Sequence, residues 1–434
     1  MRDPLLSPIP DVLLDGLTKG LPSDLPPTPM ATIADLGWNA LGGDLPTPLA
    51  VLDVEAIEQN SRWFRAVTSA YGVALCPHGK TTMAPQLFAK QLAEGAWGIT
   101  LATQHQAAVA RRFGVRRIFI ANQVLDPAFL RWIAREQAAD PEFDVYFLID
   151  GPEGVAGLRR VAEETSRHRP FNVLIEIGSA KGRTGVRSQA EALSLAAEIA
   201  RWPEAARLCG IEGFEGAMRG PDQASIEADV MAFLDLMVAT AEACEAAGHF
   251  SGPEILLTAG GSSFFDLVAR RLTTHRLRGA ARVVLRSGCY ISHDGRLYAE
   301  SVRRAMERSP ELAALNERPR QALTVWAMVQ SRPEPGLFYV NAGRRDLSSD
   351  AHLPEVLAYS PDGATVMEVD PARHRTTLMW DQHACIACPE DSPIRPGMKV
   401  RLGISHPCTT FDKWAAILMT DGTQNVVGAL KTYF

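Results

Sequence analysis

The stretch Leu75-Cys76-Pro77-His78-Gly79-Lys80-Thr81-Thr82 decides how the rest of the sequence is interpreted. A short apolar run ends at Pro77, Lys80 follows shortly after it, and a helical pattern begins at Ala84. This order places Lys80 just beyond a strand, which is where α/β barrels carry their reactive loop residues. A lysine amine becomes a nucleophile when burial or neighbouring cations depress its pKa. The alternative is a solvated loop lysine, because lysine side chains are usually exposed.

The composition is that of a globular protein. The chain has 434 residues, of which 46% are hydrophobic and 22% charged, and its net charge is −6. This length predicts two domains of unequal size. The negative charge gives no reason to expect nucleic acid or an anionic membrane as partner. We expect a cytoplasmic location, because the sequence has no run of the ~20 apolar residues that a membrane span needs and no signal-peptide pattern. The seven cysteines fit reduced thiols.

Short apolar runs alternate with helical patterns through the first two thirds of the chain. The runs cover residues 73–76, 97–101, 117–121, 145–149, 173–177, 208–213, 255–258 and 283–285. Eight strands with helical crossovers predict a closed (β/α)8 barrel of the TIM type. An open, doubly wound sheet is the alternative topology.

The remaining segments flank this barrel. Residues 1–45 are rich in proline and glycine and predict an extended arm with at most a short helix, followed by a strand at 49–52. We assign the barrel to residues 46–292 and a β-rich domain to residues 293–434, with a contribution from the N-terminal segment. The strands predicted in this β domain are 323–329, 337–341, 364–369, 376–379, 398–402 and 414–419.

Two glycine-containing loops follow the last two predicted barrel strands. They read Gly260-Gly261-Ser262-Ser263 and Arg286-Ser287-Gly288-Cys289-Tyr290. Glycines let backbone N–H groups approach an anion, and barrel phosphate sites commonly follow strands seven and eight. Either loop alone could be a plain turn. Together, facing Lys80, they indicate a phosphorylated cofactor over the barrel mouth.

Arg183 lies in a third glycine-rich loop, residues 176–186, after the fifth predicted strand. On the same rim it could hydrogen-bond a cofactor oxygen or lower the pKa of Lys80. A surface arginine is the alternative.

A metal motif, His406-Pro407-Cys408, lies in the predicted β domain. On an extended strand, residues i and i+2 point to one face, so the imidazole and the thiolate could bind one metal ion. Zinc accepts both ligand types. His383, Cys385 and Cys388 form a competing ligand set for a structural zinc.

Taken together, these motifs resemble the D-serine dehydratase and D-threonine aldolase family of pyridoxal phosphate (PLP) enzymes, which share the alanine-racemase fold (fold type III). The resemblance spans about residues 46–434. It is carried by Thr47-Pro-Leu-Ala-Val-Leu-Asp53, Pro77-His-Gly-Lys80-Thr81, Arg183-Thr-Gly-Val186, Ala259-Gly-Gly-Ser262, Arg286-Ser-Gly-Cys-Tyr290, Asn341-Ala-Gly343, Ser348-Ser-Asp350 and His406-Pro-Cys408.

The resemblance implies a cofactor, a metal and an assembly. PLP would be bound covalently by Lys80, with Arg183 as a further cofactor ligand. The implied phosphate contacts come from Gly260, Gly261, Ser262, Gly288, Cys289 and Tyr290. A divalent metal, Zn²⁺ or another such as Mn²⁺, would bind His406 and Cys408. A homodimer is expected, in which the β domain of one subunit covers the barrel mouth of the other.

The same resemblance separates two branches of the family. With cysteine at position 408, this chain resembles the zinc-dependent dehydratase branch. Aspartate at the same position is typical of the aldolase branch. One departure stands out, because the family usually continues its lysine motif as Lys-Thr-His-Lys and this chain reads Lys80-Thr81-Thr82-Met83.

Our hypothesis is a PLP- and zinc-dependent ammonia-lyase that converts a D-3-hydroxy amino acid, with D-serine first, to an oxo acid and ammonia. Lys80 would remove the α-proton with PLP as electron sink. Zinc on His406 and Cys408 would make the β-hydroxyl a better leaving group. The alternatives are aldolase-type cleavage of a D-3-hydroxy amino acid and a non-catalytic PLP-binding protein.

Overall fold

The computed structural model describes residues 4–165, 169–180 and 182–434. The N-terminal arm is more regular than expected. It contains 3-10 helices at Pro4–Leu6 and Met30–Leu36, and a short antiparallel pair, β1 (Leu13–Leu14) with β2 (Thr28–Pro29). Its apolar side chains, Ile33 among them, pack with Trp326 and Leu418 in one cluster. The arm therefore covers one face of the second sheet.

The strand predicted at 49–52 is β3 (Leu49–Asp53), and it pairs within the second sheet. Barrel strands begin only at Ala74. The boundary that we assigned at residue 46 thus places one strand of the second sheet in the barrel range.

Eight parallel strands form the expected barrel. They are β4 (Ala74–Leu75), β5 (Ile99–Leu101), β6 (Arg117–Gln123), β7 (Asp144–Ile149), β8 (Phe171–Ile177), β9 (Ala206–Gly213), β10 (Ile255–Ala259) and β11 (Ala281–Leu285). β4 pairs with β11, and from β11 back to β5 each strand pairs with the strand that precedes it in the chain. A parallel bridge between His78 and Thr100, with the Thr100 N–H donating to Pro77 O over 2.8 Å, joins the first strand to the second. This bridge closes the barrel, so the open-sheet alternative is wrong.

Helices precede the first of these strands and connect it to the others. They are α1 (Val54–Tyr71), α2 (Pro85–Ala93), α3 (Gln104–Arg112), α4 (Pro127–Ala139), α5 (Pro152–Glu164), α6 (Gln189–Ala200), α7 (Gln223–Ala246) and α8 (Phe265–Leu272). The sequence marks their starts, because the Asp53 carboxylate accepts the Ala56 N–H at 2.9 Å and Asp126 caps α4 in the same way. None of the described helices combines the length and apolarity needed to cross a membrane.

Apolar side chains from alternate positions fill the barrel interior. Phe119, Leu148, Leu174, Leu256 and Val284 are buried there in one cluster. The interior is thus a packed core, and in barrels of this type the site lies at the carboxyl ends of the strands.

The second domain follows two helices, α9 (Leu297–Arg308) and α10 (Pro310–Ala313). Its strands are β12 (Leu323–Glu334), β13 (Leu337–Val340), β14 (Glu355–Ser360), β15 (Met367–Glu368), β16 (Arg375–Met379), β17 (Ala384–Ala387), β18 (Lys399–Gly403), β19 (Ala416–Thr420) and β20 (Val426–Lys431). β3 lies between β12 and β19, and the β3–β19 pairing is parallel. The predicted strand 364–369 is confirmed only at β15, while β14, β17 and β20 were not predicted.

Candidate active site at the barrel mouth

A cavity of about 460 Å³ opens at the carboxyl ends of the barrel strands. Both domains line it, since barrel residues such as Lys80 share its wall with His406 and Cys408 of the β domain. Of the residues predicted for the site, those that line the cavity are Lys80, Arg183, Ser262, Gly288, Cys289, His406 and Cys408.

Three predicted cofactor residues do not line this cavity. The Gly261 N–H donates to the buried carboxylate of Glu215 at 2.7 Å, and Gly260 packs beside it. The Tyr290 ring is buried and stacks on Phe64 at 4.5 Å. Their assignment to the cofactor phosphate stays a prediction.

Lys80 occupies a 3-10 turn, Gly79–Thr81, directly after β4. This turn packs closely against the loop after β11, because a Cβ on Gly288 would lie 2.7 Å from the His78 Cβ. Only glycine allows so close an approach. Within the described residues the Lys80 amine has no hydrogen-bond or ion-pair partner, and the side chain is exposed. The amine is therefore free to react with a carbonyl group in the cavity.

His78 lines the cavity beside Lys80. Burial lowers its pKa well below 6.5, and the charges of Lys80, Arg286 and Arg183 lower it further. Its Nδ1 atom is buried and has no partner among the described residues. The imidazole that lines the cavity beside Lys80 therefore favours its neutral form.

An ion pair that the sequence analysis missed lies at the cavity floor. Arg286 and Glu212, with side chains 1% and 2% exposed, are hydrogen-bonded to each other. Arg286 also donates to Thr258 Oγ1 at 2.9 Å. Burial raises the pKa of Glu212 to about 7, and Arg286 opposes this increase. The sequence feature that could have identified this ion pair is a glutamate inside the apolar run 208–213, at the end of a barrel strand.

The β domain contributes a second reactive group. His406 Nδ1 lies 2.6 Å from Asp350 Oδ2, and Cys408 Sγ lies 3.3 Å from Thr81 Oγ1 on the lysine turn. A hydrogen bond with Cys408 raises the pKa of His406 to about 9, and Asp350 contributes. A hydrogen bond from Cys289 lowers the pKa of Cys408 well below its usual range. Both shifts favour a thiolate at Cys408 beside the His406 imidazole.

The predicted backbone geometry of this motif is wrong. β18 ends at Gly403, and Cys408 begins a short helix, α11 (Cys408–Phe411). Pro407 has φ −58° and ψ −44°, which are helical values. His406 and Cys408 therefore reach one cavity because a turn leads into a helix, and not because an extended strand alternates its side chains. Proline favours this turn, since its φ is already helical.

The competing ligand set is dispersed. His383 borders an exposed groove with Trp380, and the Cys385 sulfur contacts Thr377 Oγ1 at 3.3 Å. Cys388 lies near Arg332. Among residues 4–165, 169–180 and 182–434, no group of three or more His, Cys, Asp or Glu side chains has the arrangement of a metal site. Within the same residues, His406 and Cys408 therefore have no third His, Cys, Asp or Glu side chain in a metal-site arrangement with them.

The donor chemistry nevertheless fits both groups that the resemblance implies. The free Lys80 amine, the cation of Arg183 and the Ser262 hydroxyl suit a phosphorylated aldehyde. His406, oriented by the Asp350 carboxylate, and the Cys408 thiolate are ligands that zinc prefers.

One part of the cavity wall was not predicted from the sequence. Asp294, Tyr298 and Ser301, from the loop after β11 and from α9, line the cavity. Burial raises the pKa of Asp294 to about 6. The Tyr298 hydroxyl is buried without a partner among the described residues. The sequence offered no spacing signal for them, because an aspartate before a helix is usually only a cap, and Asp294 does accept the Tyr298 N–H at 3.0 Å.

Two family models match the chain. The alanine racemase N-terminal domain matches residues 52–268, and a putative serine dehydratase domain matches residues 322–420. The alanine racemase model covers the barrel from the lysine turn through β10 but not β11, and the serine dehydratase model covers most of the β domain, including His406 and Cys408.

Individual relatives agree with these matches. The chain is 38% identical to the D-threonine aldolase of Arthrobacter sp. over 84 residues, which is 19% of this chain and 22% of that protein. It is 24% identical to the 3-hydroxy-D-aspartate aldolase of Paracoccus denitrificans (strain Pd 1222) over 388 residues, 86% of this chain and 89% of that protein.

Solved structures share the whole architecture. The D-threonine aldolase of Filomicrobium marinum superimposes with a TM-score of 0.73 at 21% identity, covering 91% of this chain and 97% of that one. The D-threo-3-hydroxyaspartate dehydratase of Delftia sp. HT23 gives 0.67 at 21% identity, covering 91% and 99%. The chain belongs to the fold type III family of PLP enzymes, with an alanine racemase N-terminal barrel followed by a serine dehydratase domain.

Proposed function

We propose that this protein is a PLP- and zinc-dependent ammonia-lyase that converts a D-3-hydroxy amino acid to an oxo acid and ammonia, with D-serine as the first candidate. One observation carries the proposal: the free amine of Lys80 and the His406–Cys408 pair, from two different domains, line one cavity. An amino acid bound at Lys80 would thus have its β-substituent within the reach of a metal-binding pair.

The residues that line the cavity have different roles in this reaction. When bound, PLP withdraws electrons from the α-carbon of an amino acid, and zinc polarises a hydroxyl oxygen. Lys80 Nζ accepts the α-proton, since within the described residues it is unpaired and exposed to the cavity. Asp350 orients the His406 imidazole. Arg183, whose guanidinium lies 4.5 Å from the Phe214 ring centroid, supplies a positive charge at the rim.

Aldolase-type cleavage is the second candidate, and the names of the two sequence relatives favour it. Both reactions use the same residues and differ in the bond that breaks. Cys408 supports elimination, because the resemblance links cysteine at this position to the dehydratase branch.

The deciding experiment measures products. The PLP- and zinc-loaded protein is incubated separately with D-serine, D-threonine and D-3-hydroxyaspartate. Elimination yields ammonia with pyruvate, 2-oxobutanoate or oxaloacetate, respectively. Cleavage of D-threonine yields glycine and acetaldehyde, and that of D-3-hydroxyaspartate yields glycine and glyoxylate. Glycine without ammonia would overturn the dehydratase proposal, and full PLP loading without any product would indicate a non-catalytic PLP protein.

We also propose a homodimer and a cytoplasmic location. The cavity rim is formed by loops of both domains, and the family resemblance implies that a second subunit covers it.

A further inference from the structure

A buried carboxylate lies under the glycine loop at the cavity rim. Glu215 begins a 3-10 turn, Glu215–Ala217, just after β9, and its side chain is fully buried. Oε1 accepts the Gly261 N–H at 2.7 Å, whereas Oε2 is buried without a partner among the described residues. Burial raises the pKa of Glu215. A buried acid is costly unless it is hydrogen-bonded, and the bond from Gly261 ties this one to the glycine loop.

The same turn contacts the glycine loop a second time. A Cβ on Gly260 would lie 2.4 Å from the Phe214 ring, so the loop rests directly on Phe214. Gly261 has φ +65°, a left-handed conformation that most side chains disfavour. The loop after β9 therefore fixes both the position and the backbone conformation of Gly260 and Gly261.

The glycine loop is also held from its other side. The Ser287 hydroxyl donates to the Gly261 carbonyl, and Gly288 packs on the lysine turn. Gly261 is thus bonded through its N–H to the loop after β9 and through its carbonyl to the loop after β11. Its own amide is occupied, which leaves Ser262 and Ser263, the next residues and members of the cavity wall, to meet a ligand.

We propose that Glu215 is a positioning residue for the phosphate group of the cofactor: its carboxylate holds Gly261 so that Ser262 and Ser263 present their hydroxyl and N–H groups to the phosphate. This rests on the proposed function, since it assumes that PLP occupies the cavity. Glu215 itself does not line the cavity, so its effect passes through the loop.

The experiment compares two ligands that differ only in the phosphate. Apoprotein of the wild type, Glu215→Ala and Glu215→Gln is titrated with PLP and with pyridoxal, and binding is followed by the absorbance of the lysine-bound ligand. Glu215→Ala should weaken PLP binding about 10- to 100-fold, the range for a lost hydrogen bond to a carboxylate. Its pyridoxal affinity should stay within about threefold, because nothing else at Lys80 changes. Glu215→Gln keeps an acceptor oxygen and should bind PLP like the wild type.

Asp222→Ala is the matched control. Asp222 lies in the same loop and accepts the Ser225 N–H at 2.8 Å, but it caps α7 outside the cavity. It should lower thermal stability without changing the ratio of PLP to pyridoxal affinity. If Glu215→Ala does not fold, Glu215→Asp, whose shorter side chain cannot hold the bond, carries the same comparison.

The outcomes separate the two proposals. A wild type that binds PLP, with a Glu215→Ala variant that binds PLP equally well, overturns the role of Glu215 alone. Parallel losses for PLP and pyridoxal also overturn it, because they indicate general damage. A wild type that binds neither ligand overturns the proposed function and this inference together.

Discussion

His406 Nδ1 lies 2.6 Å from Asp350 Oδ2, so a carboxylate fixes the imidazole that faces the barrel mouth. Thr409 Oγ1 in turn donates to Asp350 Oδ1 at 2.9 Å, which orients the carboxylate. Metal-binding histidines are typically held in this way.

Asp350→Ala should therefore weaken metal binding by about 10- to 100-fold, as expected for loss of such a carboxylate partner. The measurement is competition for zinc against a chromophoric chelator. Asp412→Ala, a half-exposed neighbour without contact to His406, is the control and should leave zinc affinity unchanged. Equal affinities for wild type and Asp350→Ala would contradict the metal assignment.

Cys408→Ala should lose bound zinc and turnover, while PLP binding persists because Lys80 belongs to the barrel. Chelation should have the same effect. Zinc content and cofactor absorbance are measured on the same sample. Cys385→Ala and Cys388→Ala are the matched controls and should retain zinc. Loss of zinc from these two variants, with retention in Cys408→Ala, would show that the metal is structural.

Lys80→Ala should abolish the absorbance of lysine-bound PLP and reduce turnover by at least about 10²- to 10⁴-fold, the usual contribution of a positioned acid–base group. Lys413→Ala is the control, since Lys413 pairs with its neighbour Asp412 near the surface and does not line the cavity. A Lys80→Ala variant that keeps both the band and wild-type turnover would refute the assignment of this lysine.

His293 predicts acid sensitivity. It is 5% exposed, both ring nitrogens are unpaired among the described residues, and burial lowers its pKa to about 4. Because the unfolded chain binds a proton at higher pH than the folded one, its contribution to stability is complete above pH ~6.5 and is lost as pH falls toward 4. The loss amounts to about 3 kcal/mol.

Denaturant unfolding at several pH values between 7 and 4 checks this prediction. His293 has φ +52°, which asparagine tolerates, so His293→Asn is the comparison. The variant should show a smaller loss of unfolding free energy across this range than the wild type. Identical pH profiles would mean that the pKa of His293 is the same in the folded and the unfolded chain.

Sedimentation should show a dimer at assay concentration. The reason is that rim loops of both domains surround an open cavity that a second subunit is expected to cover. Dilution below the dissociation constant should reduce turnover. A monomer with full activity would rule this prediction out.

The sequence alone determined the barrel and the location of its chemistry. The apolar runs predicted all eight strands, because buried parallel strands carry continuous apolar residues that short-range patterns reveal. Glycine loops and a lysine after strand ends are local signals too. These signals placed Lys80, Ser262 and Gly288 on one rim, and all three line the cavity.

Only the tertiary structure decided which side chains are partners. Glu215 meets Gly261, Arg286 meets Glu212, and Cys408 meets Thr81, although each pair is distant in sequence. Strand register and loop packing create these contacts, and no spacing rule within one segment encodes them. The same reason explains the error at Pro407: a His-x-Cys pattern suits both a strand and a turn before a helix, and only the packing of α11 on the lysine turn selects between them.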